Sequence, residues 1–97
     1  MPEVGKASEI ADGQMRAADL EGERVTIANV GGTYYAFEEA CSHVGCSLTE
    51  GTLEGTAVVC PCHGSRFDIA TGAVLQGPAR RPVKHYQVQV NGDNLSI

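Results

Sequence analysis

Residues 39–48 read EACSHVGCSL and residues 58–67 read VVCPCHGSRF, and these two stretches decide how the rest of the chain is read. Cys41 with His43, and Cys60 with His63, each set one thiol and one imidazole on a short loop, and residues 44–59 are long enough to bring the loops face to face. That is a metal cage. A soft sulfur donor beside a borderline nitrogen donor suits zinc or an iron–sulfur cluster, whereas magnesium and calcium take oxygen. Zinc sites usually group two Cys in one box and two His in the other, and here the donors are mixed within each box. A scaffold held only by disulfides leaves the histidines without a role.

The mixed boxes resemble the Rieske family, whose two-iron two-sulfide cluster is held by two Cys on one iron and two His on the other. The string Cys60-Pro61-Cys62-His63-Gly64-Ser65 is similar to the second ligand box of that family, and Gly77-Pro78-Ala79 stands where its members place a proline loop over the cluster. The resemblance implies one cluster of the Rieske type, held by Cys41, His43, Cys60 and His63. Ser65 is then the serine whose hydroxyl donates to a bridging sulfide. Phe67 stands where high-potential relatives carry a tyrosine, and it also suits a core position. Cys46 and Cys62 match the pair that forms a disulfide between the loops in membrane-anchored Rieske subunits. The alternative is two buried thiols packed as small apolar groups.

The implied ligand set has a direct electrostatic consequence. Two ferric ions and two sulfides sum to +2, two thiolates bring the first shell to zero, and neutral imidazoles add nothing. An electron enters such a centre more easily than an all-Cys one, with potentials of roughly -150 to +300 mV against about -400 mV. The ligands therefore predict a one-electron carrier.

Seven Lys and Arg against twelve Asp and Glu give a net charge of -5. The basic residues are scattered, so a nucleic-acid footprint is not expected. The charge suits a positively charged protein partner, and it equally serves solubility. The five aromatics, Tyr34, Tyr35, Phe37, Phe67 and Tyr86, make a thin core that gains from a metal staple. The start of the chain has neither an apolar h-region nor twin arginines, and no apolar run is long enough to span a bilayer, so a cytoplasmic monomer without membrane contact is expected.

Ninety-seven residues suit a single domain, 1–97. Glu3–Gly5 reads as a strand and Lys6–Ile10 as a turn or a single helical turn with Ser8 as a candidate cap. Asp12-Gly13 marks a turn, and Gln14–Leu20 is mixed. Arg24–Val30 alternates, and Gly31-Gly32 turns it into Thr33–Glu38. Leu48–Leu53 reads as loop, Thr56–Val59 as a buried strand, Arg66–Ile69 and Ala73–Leu75 as a hairpin, and Gly77–Pro82 as an extended loop. Val83–Val90 alternates as one strand with Tyr86, Val88 and Val90 on its core face, and Asn91-Gly92 turns it into Leu95–Ile97. Many short strands without a convincing helix predict an all-β antiparallel sandwich or barrel, the Rieske fold, with a cluster-binding subdomain at about 40–68 inserted in the β base. His85, Tyr34 and Tyr35 are expected to be surface or sheet residues rather than redox groups.

The resemblance implies a soluble Rieske ferredoxin, not itself an enzyme, that passes electrons from a flavin-dependent ferredoxin reductase to a terminal oxygenase such as an aromatic-ring-hydroxylating dioxygenase. The alternatives are a small Rieske subunit of another oxidoreductase, of nitrite reductase or arsenite oxidase type, and a non-redox interaction module that keeps a metal for folding.

Overall fold

The computed structural model describes residues 3–40, 46–62, 64–77 and 79–97. Its strands are β1 (Glu3–Lys6), β2 (Met15–Leu20), β3 (Glu23–Val30), β4 (Thr33–Glu38), β5 (Thr52–Glu54), β6 (Ala57–Val59), β7 (Arg66–Asp68), β8 (Val74–Gln76), β9 (His85–Tyr86), β10 (Gln89–Asn91) and β11 (Asn94–Ser96). They form three antiparallel sheets with the orders β1-β11-β10, β2-β3-β4-β9 and β5-β6-β7-β8, so the all-β expectation holds. Two short 3-10 turns, Ala7–Glu9 and Leu48–Glu50, are the helical elements among the described residues.

The four-stranded sheet built on β3 is the middle layer. Val25, Thr26, Ile27, Ala28 and Asn29 are all buried. Successive side chains of a strand point to opposite faces, so such a run requires cover on both sides. On one face Val25, Ile27 and Ala36 pack with Ile10 and Leu95 against the sheet that joins the two ends of the chain. On the other, Ala28 and Phe37 share a core with Leu48, Val58, Phe67 and Ile69, which belong to the sheet β5-β6-β7-β8 or lie beside it. The small sheet that carries the second ligand box is therefore seated on the central sheet through a common apolar interior.

Four sequence expectations change. Gln14–Leu20 contains a full edge strand, β2, which pairs with β3 from Met15↔Ala28 to Leu20↔Glu23. Its alternation is hidden because Ala17 and Ala18 carry little contrast in hydropathy. Leu48–Leu53 is a 3-10 turn followed by the start of β5 rather than loop. Val83–Val90 is not one strand: β9 pairs with β4 in the central sheet and β10 with β11 in another. Because the chain changes sheets, its period-two phase is lost, and Val83 is buried while Val90 is 50% exposed. Ser8 does not cap the first turn. Its amide and hydroxyl donate to the Asp93 carboxylate at 2.8 and 2.7 Å, fastening the first turn to the last hairpin.

Candidate metal centre

The neck of the first ligand loop is closed immediately after β4. Ala40 bridges Ser47, and Leu48 N–H donates to the Glu39 carbonyl at 2.8 Å, so the chain that leaves at residue 40 returns at residue 47. Two contacts beyond backbone pairing hold this neck. Leu48 is fully buried in the shared core, and Thr49 Oγ1 lies 2.9 Å from Oγ1 of Thr26, itself fully buried on β3. Gly51 then lets the chain pass close to β6, since a Cβ there would stand 2.0 Å from the Val59 carbonyl oxygen. The expected ligands Cys41 and His43 lie outside the described residues.

The second ligand loop joins β6 to β7 as a tight turn. Cys60 N–H donates to the Ser65 carbonyl at 2.8 Å, and Gly64 N–H donates to the Cys60 carbonyl at 3.1 Å. Gly64 has φ of 75°, a left-handed conformation that glycine adopts without steric cost. The turn carries Cys60 inward, 2% exposed and with a free thiol. It carries Cys62 outward to solvent. The expected ligand His63 lies outside the described residues.

Two links tie these loops to each other and to a third. Cys46 and Cys62 form the expected disulfide, with Cα atoms 6.5 Å apart, and so join the returning end of the first loop to the tip of the second. Ala79 N–H donates to Ser65 Oγ at 3.1 Å, with both residues buried. This bond draws Ala79 against the second loop. Pro78 lies outside the described residues. Ser65 Oγ is the acceptor here, which leaves the hydroxyl hydrogen for a different acceptor.

Phe67, paired with Val58, is fully buried and fills the core beneath the loops. His85 is exposed on β9. Tyr34 donates its hydroxyl to the Ala7 carbonyl at 3.1 Å, as a sheet residue. The contributions of Thr26 and Thr49 were not readable from the sequence. An isolated Thr carries no motif, and the two meet across 23 residues.

A cleft of about 320 Å³ lies beside the neck, lined by Glu23, Arg24, Glu38, Glu39, Ala40 and Lys84. Its charges are largely answered within the protein. Lys84 Nζ is 3.7 Å from Glu23, and Glu38 accepts the Lys84 amide at 2.9 Å. Tyr86 donates to Glu23 nearby at 3.3 Å. Burial raises the Tyr86 phenol above its ordinary value, and the charge of Glu23 acts in the same direction.

Cys60 supplies a buried soft donor, and Ser65 a buried hydroxyl with a hydrogen to give. A buried free thiol suits an iron–sulfur cluster, whereas a hard cation prefers oxygen donors.

The wider resemblance agrees with this chemistry. The family model of the Rieske [2Fe-2S] domain matches residues 1–87. The chain is 35% identical over 94 residues to the cytochrome b6-f complex iron-sulfur subunit of Chlorobaculum thiosulfatiphilum, covering 97% of this chain and 51% of that protein. The chain thus spans about half the length of that relative. It is 34% identical over 89 residues to the ferredoxin component of the naphthalene 1,2-dioxygenase system of Pseudomonas aeruginosa, covering 92% of this chain and 86% of that one. Among solved structures, a complex of reduced oxygenase and oxidized ferredoxin in carbazole 1,9a-dioxygenase contains a chain with TM-score 0.91 and 31% identity, covering 98% of each. The cofactor of this chain is one two-iron two-sulfide cluster, and with the matched domain and the fold in agreement, the chain belongs to the Rieske [2Fe-2S] domain family.

Proposed function

We propose that this protein is a one-electron carrier, passing electrons from a flavin-dependent reductase to a terminal oxygenase of the aromatic-ring-hydroxylating kind. When bound, the cluster supplies one reversible electron. Cys41 and Cys60 would hold one iron and His43 and His63 the other, and Ser65 would donate its remaining hydrogen toward the cluster. The observation that carries the reading is the mutual locking of three loops around one buried free thiol, by Cys46–Cys62 and by Ala79–Ser65. A carrier gains from such rigidity, because groups that do not move on reduction need no reorganisation when the electron arrives. The ferredoxin components among its relatives support the oxygenase partner. We place the protein in the cytoplasm as a monomer. Among the described residues no helix is long and apolar enough to cross a membrane.

A second reading, a subunit of a larger electron-transfer complex, is favoured by the disulfide together with the likeness to the cytochrome b6-f subunit. One experiment tests the carrier role. Dithionite should bleach the visible bands of the purified protein, air should restore them, and the reduced form should give a one-electron paramagnetic signal. A protein that holds iron and cannot be reduced reversibly rules the carrier out. Co-elution with a partner subunit through every purification step would favour the second reading.

A further inference from the structure

Between Arg24 and Arg80 the sequence holds one Lys or Arg, Arg66, and it begins the strand that leaves the second ligand loop. Val59↔Arg66 and Thr52↔Val59 are register pairs, so Arg66, Val59 and Thr52 form a row across the sheet β5-β6-β7-β8. That row adjoins the ligand turn. Cys60 follows Val59, and its amide donates to the carbonyl of Ser65, the residue before Arg66, at 2.8 Å. Glu54, Ala57 and Asp68 form a second row on the same face, two residues further from the turn. Val58 and Phe67, which lie between the two rows, are fully buried on the opposite face. Arg66 does not stay in its own row: its guanidinium forms an ion pair with the Glu54 carboxylate, diagonally across β6. The side chain is therefore drawn along the sheet, away from Cys60. Glu54 is itself held in place, since it flanks a turn in which Gly55 takes φ of 61° and the Thr56 carbonyl accepts the Ile69 amide at 2.9 Å. The other carboxylate of the second row is occupied elsewhere, as Asp68 Oδ1 accepts the Ala70 and Thr71 amides at 2.8 and 3.2 Å.

We propose that Glu54 is a positioning residue for electron transfer: it holds the Arg66 guanidinium off the ligand turn and so keeps the potential of the cluster lower than an unpaired Arg66 would set it. This rests on the electron-carrier reading. The implied first shell sums to zero when oxidised and carries one negative charge once an electron has entered, with no bond made or broken. An unpaired cation beside it favours the reduced state by direct Coulomb attraction. A cation free to move would also swing toward the new charge, adding reorganisation to each electron transfer. The Glu54 carboxylate removes both effects, because it cancels the charge of Arg66 and fixes where that charge sits. Arginine suits a fixed pair, since its planar fork binds a carboxylate in a defined geometry.

The test measures the midpoint potential of the intact holoprotein by spectroelectrochemistry. At an applied potential equal to the wild-type midpoint, Glu54→Gln should raise the ratio of reduced to oxidised protein roughly threefold, as a unit charge about 10 Å away and partly screened by water would. Glu3→Gln makes the same change of net charge on β1, in the sheet at the other face of the central sheet, and should stay close to wild type. In an Arg66→Gln background the Glu54→Gln step should raise the ratio less, because no guanidinium is released. Arg66→Gln alone leaves the Glu54 charge unanswered and should lower the ratio, which gives an independent arm should Glu54→Gln lose its cluster. The position of the guanidinium is read directly by nuclear magnetic resonance. The reduced cluster is paramagnetic, so the Arg66 Nε–H proton should relax faster in Glu54→Gln than in wild type as the side chain moves toward it. An unchanged or lower ratio in Glu54→Gln, an equal step in the Arg66→Gln background, a ratio in Arg66→Gln at or above wild type, or unchanged Nε–H relaxation each overturns the proposal. A protein that takes up no electron overturns the carrier reading itself, and that outcome is recognisable because dithionite then leaves the absorbance unchanged.

Discussion

β3 in the central sheet pairs with a neighbour on each side and buries five consecutive residues, while each strand of the sheet β5-β6-β7-β8 is three residues long. The first region is held by ladder hydrogen bonds and two apolar faces. Strands of three residues supply few of either, so the second region relies on clips between distant residues: the Cys46–Cys62 disulfide, the Thr26–Thr49 and Ser65–Ala79 hydrogen bonds and the Arg66–Glu54 ion pair. The difference shows how a small β domain can hold a rigid metal site at the end of loops. The framework is general, and the precision comes from a handful of named contacts that fix loops to each other.

The largest effect should come from Cys60→Ser, which removes the described thiol from the site and leaves the central sheet untouched. The variant should be colourless and free of iron, yet keep the far-ultraviolet circular dichroism of a β protein. Normal iron content would mean that Cys60 is not a ligand. Phe37→Ala acts on the framework instead. Truncating a fully buried aromatic costs about 3–5 kcal/mol, and Phe37 faces the core shared with Val58 and Phe67. Loss of strand signal and loss of visible absorbance should therefore coincide in a denaturant melt. If the colour survives well past the strand transition, the two regions do not share a cooperative core.

The same contrast explains what was legible in the sequence. Arg24–Val30 and Thr33–Glu38 were readable because alternation and a Gly31-Gly32 turn act locally, and the family was readable because the donor types and spacing of the two boxes are rare. The Cys46–Cys62 pair was visible by resemblance to a family. The boundary between β9 and β10 was not, because no local feature of Gln87-Val88 marks the change of sheet. β5 was hidden for a related reason. Thr52-Leu53-Glu54 pairs with β6 but holds a single apolar residue, so it lacks the apolar run by which β6 was recognised. Thr26–Thr49 and Ser65–Ala79 exist only once the chain has folded.

The next effect in size belongs to the disulfide. Cys46 and Cys62 are 16 residues apart, and closing a loop of that length constrains the unfolded chain by about 3 kcal/mol. Cys46→Ala with Cys62→Ala should lower the thermal midpoint by that equivalent. Much of the cluster should remain, and native-state amide exchange should speed up in residues 46–62 before it does in β3. Equal acceleration in β3 would show that the disulfide supports the whole molecule rather than the loops.

The smallest effect tests the framework at its edge, where Asp93 joins the last hairpin to the first turn. Its carboxyl is held below the ordinary 3.8, first by the hydrogen bond from the Ser8 hydroxyl and then by the one from the Ser8 amide, with Lys6 adding a smaller contribution. The folded state thus favours the ionised carboxylate more than the unfolded chain does. Its stabilisation is present above the unfolded value and is lost as pH falls from about 3.8 through the lower folded value. Nuclear magnetic resonance of the Asp93 carboxyl carbon should give a midpoint below 3.8 in the wild type. Ser8→Ala removes the hydroxyl donor and keeps the amide, so the midpoint should rise part of the way back. At neutral pH Ser8→Ala should melt slightly below the wild type, with the gap narrowing in acid once Asp93 is protonated in both. An unmoved midpoint in Ser8→Ala would mean that the contact does not bind the ends of the chain in solution.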